Sequence, residues 1–385
     1  RLDARMKPVL IVGAGPVGAV CALILRGNGI PVRVFEAQPR GAARDSRTLA
    51  LAYGAQLALD RIGAWRRLAR VTPITGIHIS QRGAPGVARL SAREFAVPAL
   101  GYVLPYAELA VALEDALDAA GVVVDYATPV ASIQPGEDEA GLTLADGGRH
   151  AASLVVVADG GRGDSPPAPT LAGDYGQRAI VCEVETELPH GNLAYERFTP
   201  DGPAALLPKG DRYALVWSAA DVDAERILAL PDAEFLAALY RHFGGRRGHF
   251  LAATPRNSFP LRLAYLGAQT EARVVRVGNA AQILHPVAGQ GFNLGLRDAW
   301  ELAEACIEAV DSGSAPGSRA MLAAYQRGRR ADIAGGMGFT DFLVRAFSGD
   351  NFLLSHARGL GLLALEALPP LKSFVARRMM YGANG

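Results

Sequence analysis

VLIVGAGPVGAVCALILRGNGIPVRVFE, residues 9–36, is the stretch that decides the fold. Val9 to Val12 is a short apolar run of strand character, Gly13-Ala14-Gly15-Pro16-Val17-Gly18 is a GxGxxG turn, and Ala19 to Arg26 continues as a helix. Val32 to Phe35 makes a second strand, closed by the acid Glu36 with Ala37 behind it. Strand, glycine turn, helix, strand and terminal acid in that order predict a dinucleotide-binding unit. The glycines allow a tight turn and a close approach of main chain to a pyrophosphate, and the helix N-terminus offers it partial positive charge. Glu36 falls 18 residues after Gly18, near the roughly 20 expected of a carboxylate that grips ribose hydroxyls. An acid there suits the unphosphorylated ribose of FAD or NAD, where NADP would more often want an arginine. Pro8 to Leu25 is 18 residues without a charge, which reaches the lower limit for a membrane span. Gly13, Gly15, Pro16 and Gly18 interrupt it as a strand-to-helix turn would, so it reads as a buried βα unit.

A second glycine-rich stretch, VVRVGNAAQILHPVAGQGFNLGLRD at residues 274–298, supplies the matching half. Val274 to Val277 is strand-like and feeds a Gly278-Asn279 turn. After His285-Pro286 comes Gly289-Gln290-Gly291, then Phe292, Asn293, Gly295 and helical character from about Leu296. Here too backbone is being brought close to a bound anion or polar ring, with helix-start N–H groups to stabilise negative charge on it.

Composition narrows the classes. With 385 residues the chain has room for two or three domains with substantial cores. A formal net charge of +1 gives no global pull toward nucleic acid. Cys21, Cys182 and Cys306 are far apart and form no CxxC pair, which argues against a disulfide scaffold or a zinc site and fits a reducing cytoplasm. The histidines lack the HExxH spacing of zinc enzymes, so no metal ligands are assigned. No serine lies in a GxSxG elbow, so hydrolase chemistry has no support.

Between the two glycine stretches the character of the chain changes twice. Tyr53 to Leu68 reads as helix, Thr72 to Val97 as strands, and residues 105–120 as an amphipathic helix with Leu109, Leu113, Ala116 and Leu117 on one face. Val122 to Val124 and Leu154 to Val157 return to apolar strand. Residues 166–263 are β-rich, with Lys209-Gly210-Asp211 a hairpin turn between two strands. This predicts an α/β protein: a discontinuous Rossmann-like FAD-binding domain at 6–75, 98–165 and 265–335, an inserted β-sheet substrate domain at 76–97 and 166–264, and a C-terminal helical segment at 336–385.

GAGPVG at 13–18, DSRTLAL at 45–51, ADG at 158–160 and the GN…HP…GQGFNLG stretch together resemble the FAD-dependent aromatic hydroxylases of the p-hydroxybenzoate hydroxylase type. Within them the chain is most similar to the ubiquinone-biosynthesis branch, above all its 2-octaprenyl-6-methoxyphenol hydroxylases. That finer resemblance rests on Asn279 where most relatives carry Asp, on HPVAGQGFNLGLRD, and on DYGQRAIV at 174–181 and ERFTPDGPAALLP at 196–208. It implies a cycle in which NADPH or NADH passes hydride to FAD, O2 yields a flavin hydroperoxide, and one oxygen atom reaches an electron-rich phenol.

The resemblance also assigns residues. Gly13, Gly15, Pro16, Val17 and Gly18 would face the FAD pyrophosphate, with Glu36 and Ala37 at the adenosine ribose. Arg44 and Arg47 would lie near the flavin, and Tyr106 and Val130 would contact FAD through their loops. Asp159 would serve FAD and the nicotinamide donor, although Gly163 stands where relatives carry a serine. Gly278 and Asn279 would meet the ribityl chain, and Pro286, Gly289, Gln290, Gly291, Phe292 and Asn293 the pyrimidine side of the flavin. His285, Pro286 and Arg47 are the candidate catalytic residues, His285 because an imidazole can titrate near neutrality. Phe198, Tyr213 and Trp217 are candidates for an aromatic substrate pocket. The implied partners are a polyprenylated phenol and O2, peripheral contact with the inner face of the cytoplasmic membrane through the apolar segment after residue 336, and a ubiquinone-synthesis complex or a homo-oligomer. The competing readings are an FAD oxidoreductase of another small aromatic substrate and a non-catalytic FAD-bearing scaffold.

Overall fold

A computed structural model describes residues 6–42, 47–83, 86–162, 169–200, 202–266, 269–283, 290–347 and 352–382. The chain opens with β1 (Val9–Val12), α1 (Pro16–Gly27) and β2 (Val32–Phe35), followed by β3 (Thr48–Ala52) and α2 (Tyr53–Arg61). Next come β4 (Thr72–Ile74), β5 (Gly76–Gln81), β6 (Val87–Ser91), β7 (Gly101–Pro105), α3 (Tyr106–Ala119) and β8 (Val123–Asp125). A meander of β9 (Val130–Gln134), β10 (Ala140–Leu144) and β11 (Arg149–Ala152) leads into β12 (Leu154–Val157). The middle holds β13 (Leu171–Thr186), β14 (Leu193–Thr199), β15 (Gly202–Lys209), β16 (Arg212–Ala220), α4 (Asp221–Leu228), α5 (Asp232–Phe243), β17 (Phe250–Ala253) and β18 (Asn257–Tyr265). The last elements are β19 (Thr270–Glu271), β20 (Val274–Arg276), β21 (Gln282–Ile283), α6 (Gln290–Asp311), α7 (Arg319–Phe347), α8 (Phe352–Ala367) and α9 (Pro369–Tyr381).

The first layer is a six-stranded sheet in the order β19-β20-β12-β1-β2-β8, parallel except for β19. Its central strands are almost wholly apolar because both faces are covered. Val9 and Ile11 point into a core with Val20, Ile24 and Leu302, while Leu10 turns the other way onto Leu142 and Leu144 of the β9–β11 meander. Each such buried aliphatic side chain contributes roughly 1.5–3 kcal/mol. The second layer is a nine-stranded sheet, β21-β18-β13-β16-β15-β14-β5-β6 with β17 on β13. A small antiparallel sheet, β3-β7-β4, packs through β4 and β7 on β15 of the second layer and through β3 on α6.

Three features differ from the sequence reading. The helix that starts at Tyr53 stops at Arg61, because Gly63 takes φ +72° and closes it: Ala64 N–H donates to Leu59 O at 3.0 Å and Gly63 N–H to Asp60 O at 3.0 Å. The β-rich segment contains α4 and α5; Phe235, Leu239 and Phe243 of α5 recur at helical spacing and bury against Trp217 and Phe250. α7 runs unbroken through position 336, and Gly335 within it lies against the Arg378 guanidinium. The cysteines are buried, and burial pushes Cys182 and Cys306 up to about 12, so neither thiol ionises near neutrality.

Candidate active site

The carboxyl ends of β2, β1, β12 and β20 lie side by side, where a parallel sheet places a ligand crevice. Gly13 follows β1 with φ +102°, and a Cβ there would stand 2.6 Å from Ala158 O. Gly18 is as constrained, since its Cβ would fall 2.0 Å from Gly13 O. Around Gly15 the space is open, with nothing among the described residues within 4 Å of a Cβ position. Among the described residues no side chain caps α1, and no acid stands in its first turn, so the helix start is left to an anion. At the end of β2 the Glu36 carboxylate is fixed by two main-chain donors, Ala14 N–H at 2.7 Å and Gln38 N–H at 2.9 Å. Ala37 is exposed beside it, and Thr128 N–H, two residues before Val130, donates to Glu36 O at 2.8 Å. A tight glycine cradle with an open side and an anchored carboxylate one strand away fits a dinucleotide.

The distant glycine stretch closes on the same place. Val17 packs into the notch between Gly278 and Gly295: Cβ atoms on those glycines would lie 3.2 and 3.1 Å from Val17 Cγ2. Gly161 backs onto Asn279, whose carbonyl oxygen would be 3.1 Å from a Cβ there. The Asp159 carboxylate accepts Gly161 N–H at 2.9 Å, so it shapes the turn after β12. α6 begins at Gln290, earlier than the Leu296 suggested by the sequence, and Gly291, Phe292 and Asn293 complete its first turn. Glycine is a weak helix former, but packing against Val17 overrides propensity here.

Asn293 is only 3% exposed. Its amide holds β3: Oδ1 accepts Ala52 N–H at 2.8 Å and Nδ2 donates to Ala50 O at 3.0 Å. Arg47, exposed before β3, lies over the Tyr106 ring at 5.6 Å and accepts Tyr106 N–H at its carbonyl. Arg44, His285, Pro286 and Gly289 lie outside the described residues, as does the Gln290 side chain.

A buried ionic cluster that the sequence reading missed supports the Gly278 loop. Asp298 Oδ2 accepts Gly278 N–H at 3.0 Å and Gln282 Nε2 at 2.6 Å, while Oδ1 accepts Arg329 Nε at 2.8 Å. Arg329 also meets Glu301 at 3.0 Å and Asp332 at 2.8 Å. Burial works against the guanidinium's charge, but Asp298, Glu301 and Asp332 more than offset it, and its pKa is raised. Burial likewise pushes the Asp298 carboxyl up against the opposing pull of Arg329. In the amino-acid sequence these residues read as ordinary helix charges; their separation of 31 carries no local signal.

Beyond Asn293 lies a cavity of about 200 Å³ between β3, β4 and β7 on one side and β5, β6, β14, β15 and β16 on the other. Ala194, Ala205, Leu207 and Val216 make an aliphatic wall, Met379 and Met380 of α9 close one end, and Glu196 is set in the wall. Tyr213 and Trp217 do not line it. They occupy the alternate positions of β16 and fill the core with Phe235 on the far face, whereas Val216 and Ser218 face the cavity. Phe198 is buried outside the lining.

A glycine-cradled nucleotide crevice joined through one helix start to an aliphatic cavity under a large second sheet defines an FAD-dependent monooxygenase fold. The structure is similar over 98% of its length to p-nitrophenol 4-monooxygenase PnpA from Pseudomonas putida, at a TM-score of 0.78, 19% identity and 99% coverage of that chain. The FAD binding domain family matches residues 6–337. Ubiquinone hydroxylase UbiL of Rhodospirillum rubrum is 37% identical across 98% of this chain and 90% of its own. The 3-demethoxyubiquinol 3-hydroxylase of Escherichia coli is 31% identical across 94% of this chain and 96% of its own. The chain belongs to this FAD-binding family, among its ubiquinone-biosynthesis hydroxylases.

Proposed function

We propose that the cavity beside Asn293 takes the ring of a polyprenylated phenol and that this protein adds a hydroxyl to it. The enzyme is an FAD-dependent monooxygenase of ubiquinone biosynthesis. Bound FAD supplies hydride acceptance from NADPH or NADH and the activation of O2. The chain's own residues do the rest. Gly13, Gly15, Val17, Gly18 and the α1 N-terminus hold the pyrophosphate, Glu36 holds the ribose, and Gly278 and Asn279 follow the ribityl chain. Asn293 ties the start of α6 to β3, so the flavin edge and the cavity wall move as one body. The aliphatic lining excludes water, which protects activated oxygen from unproductive release.

The observation that carries this reading is the continuity of the two sites through Asn293, a residue of the glycine stretch that also lines the cavity. A prenyl tail would leave past α9. Leu360, Leu363, Leu368, Leu371 and Phe374 expose apolar surface there, which supports peripheral docking on the inner face of the cytoplasmic membrane. Among the described residues no single helix is long and apolar enough to cross a membrane; Gly359–Ala367 and Pro369–Tyr381 pass that test only as a pair bent by 99°.

Purified protein tests the reading through NAD(P)H oxidation and O2 uptake, with a prenylated phenol added. Stimulation of both, with a product heavier by one oxygen atom, supports it. Oxidation independent of O2 identifies a dehydrogenase, and no turnover with bound FAD identifies a scaffold.

A further inference from the structure

Glu196, in the ERFTPDGPAALLP motif, has a side chain that the assigned function leaves unused, and its setting is unlike that of the acids around it. It lies mid-strand in β14, with Ala205 opposite on β15 and Ile79 opposite on β5. Beyond Ala205 the next residue across the sheet is Val216. Ala194, Ala205, Leu207 and Val216 share the cavity lining with it. Nearby carboxylates are paired: Glu183 with Lys209 at 2.5 Å, Glu94 with Lys372 at 2.9 Å and Glu185 with Arg212 at 3.5 Å. Glu196 has neither an ion pair nor a hydrogen bond among the described residues.

The charged and titratable groups around the cavity are committed elsewhere. Lys209 is held by Glu183 and by Thr48 Oγ1 at 2.9 Å. Tyr195 has its ring 5.3 Å from His78 and under Arg247. Arg197 points to the opposite face and donates to Ser80 Oγ at 3.2 Å. Lys372 of α9 reaches Glu94 and Glu366. An unpaired carboxylate in an apolar wall is costly, and the surface it keeps opens into the space where the ring would sit.

We propose that Glu196 is a catalytic residue that accepts the hydrogen bond of the substrate's phenolic hydroxyl and takes its proton as the ring is oxygenated. This rests on the hydroxylase reading above. As the ring carbon forms its bond to the transferred oxygen, electron density leaves the phenolic oxygen, its O–H bond breaks and the proton passes to the Glu196 carboxylate. When the resulting dienone regains aromaticity, the ring C–H proton is carried off with the second oxygen atom as water, the carbonyl oxygen is reprotonated by the Glu196 carboxylic acid, and the carboxylate is restored. The oxygen atom and the reducing equivalents come from the O2 and NAD(P)H of the established reaction, and the second oxygen leaves as water. Fixing the phenolic oxygen also fixes which ring carbon meets the flavin, so the same residue sets the position of hydroxylation.

Burial alone, with no neighbouring charge contributing, raises Glu196 from 4.5 to about 7. The proton-accepting form therefore fills in as pH rises through about 7.

The test compares 2-geranylphenol with its methyl ether, 2-geranylanisole, which lacks the proton. Binding to the holoenzyme is followed by the change in flavin absorbance, and turnover by O2 uptake. The parent should bind the phenol roughly 10–100-fold more tightly than the ether, with the preference and kcat both falling as pH drops below about 7. Glu196→Gln, with unchanged FAD content, should lose the preference and the pH limb together and turn over about 100-fold more slowly. Glu196→Asp should recover part of each. A variant that keeps either the preference or the limb overturns the proposal. The parent's own phenol-to-ether ratio across pH judges it without any variant: a ratio that does not change with pH overturns it as well. Binding that shows the ratio without O2 uptake would instead sink the hydroxylase reading and leave the hydrogen bond standing.

Discussion

The crevice at the ends of the parallel strands and the wall of the cavity are built on opposite principles. At the crevice the main chain does the work: Gly13 against Ala158 O, Gly18 against Gly13 O, and Val17 wedged between Gly278 and Gly295. At the cavity the side chains do it, and adjacent residues of β16 have unrelated fates, Val216 in the lining and Trp217 in the far core. Where backbone geometry is the constraint, a substitution acts on the fold and the cofactor together. Where alternate side chains are the constraint, one face can change while the other stays.

The sharpest way to break this contrast is Gly18→Ala. Its Cβ would meet a carbonyl oxygen at 2.0 Å, so the turn must open. The expected loss is at least about 5 kcal/mol of stability, with protein that retains no FAD, read by thermal melting and flavin absorbance. Next is Arg329→Met, which strands Asp298 as an unpaired buried acid. It should cost about 3–5 kcal/mol and weaken FAD retention, because Asp298 also holds Gly278 N–H. Retention at the parent level would separate that cluster from the crevice.

On the cavity side the expected sign reverses. Glu196 has a folded pKa of about 7, above its ordinary 4.5, so the cost of burying its charge is absent below the ordinary value, grows as pH rises and is full above about 7. Glu196→Gln should match the parent's melting temperature near pH 4 and exceed it near pH 8, by up to about 3 kcal/mol. A lower melting temperature near pH 8 would mean that the carboxylate has a stabilising partner. The smallest effect separates the two faces of one sheet. Ala205→Phe should raise KM roughly tenfold with FAD content intact, while Trp217→Phe costs about 1 kcal/mol of stability and leaves KM unchanged.

The same contrast explains what could be read from the amino-acid order. The tight turn at Gly13 to Gly18, with Glu36 at the end of the next strand, was legible because a strand-to-helix turn with close backbone approach needs glycine at fixed spacing. α3 was legible because Leu109, Leu113, Ala116 and Leu117 recur at helical period and are all buried. The start of α6 was hidden by its glycines. The aromatic candidates Tyr213 and Trp217 failed because a strand's two faces differ by one residue, and only pairing with β15 and burial under α5 decide which face is which. Asp298 and Arg329 were silent because their pairing is tertiary. Glu196 was quoted inside a motif, but only the register of β14 shows that its cross-strand partners, Ala205 and Ile79, are apolar.

The central claim is that the two glycine stretches close on one FAD. FAD titration by quenching of its fluorescence, in the parent and in Gly278→Val, tests it most directly. A branched side chain there would press on Val17, 3.2 Å from the Cβ position, at the start of the opposite stretch. One FAD per parent chain, with affinity lowered at least about tenfold in the variant, is the predicted result; a parent that takes up no flavin, or a variant that binds it as tightly, would contradict the account.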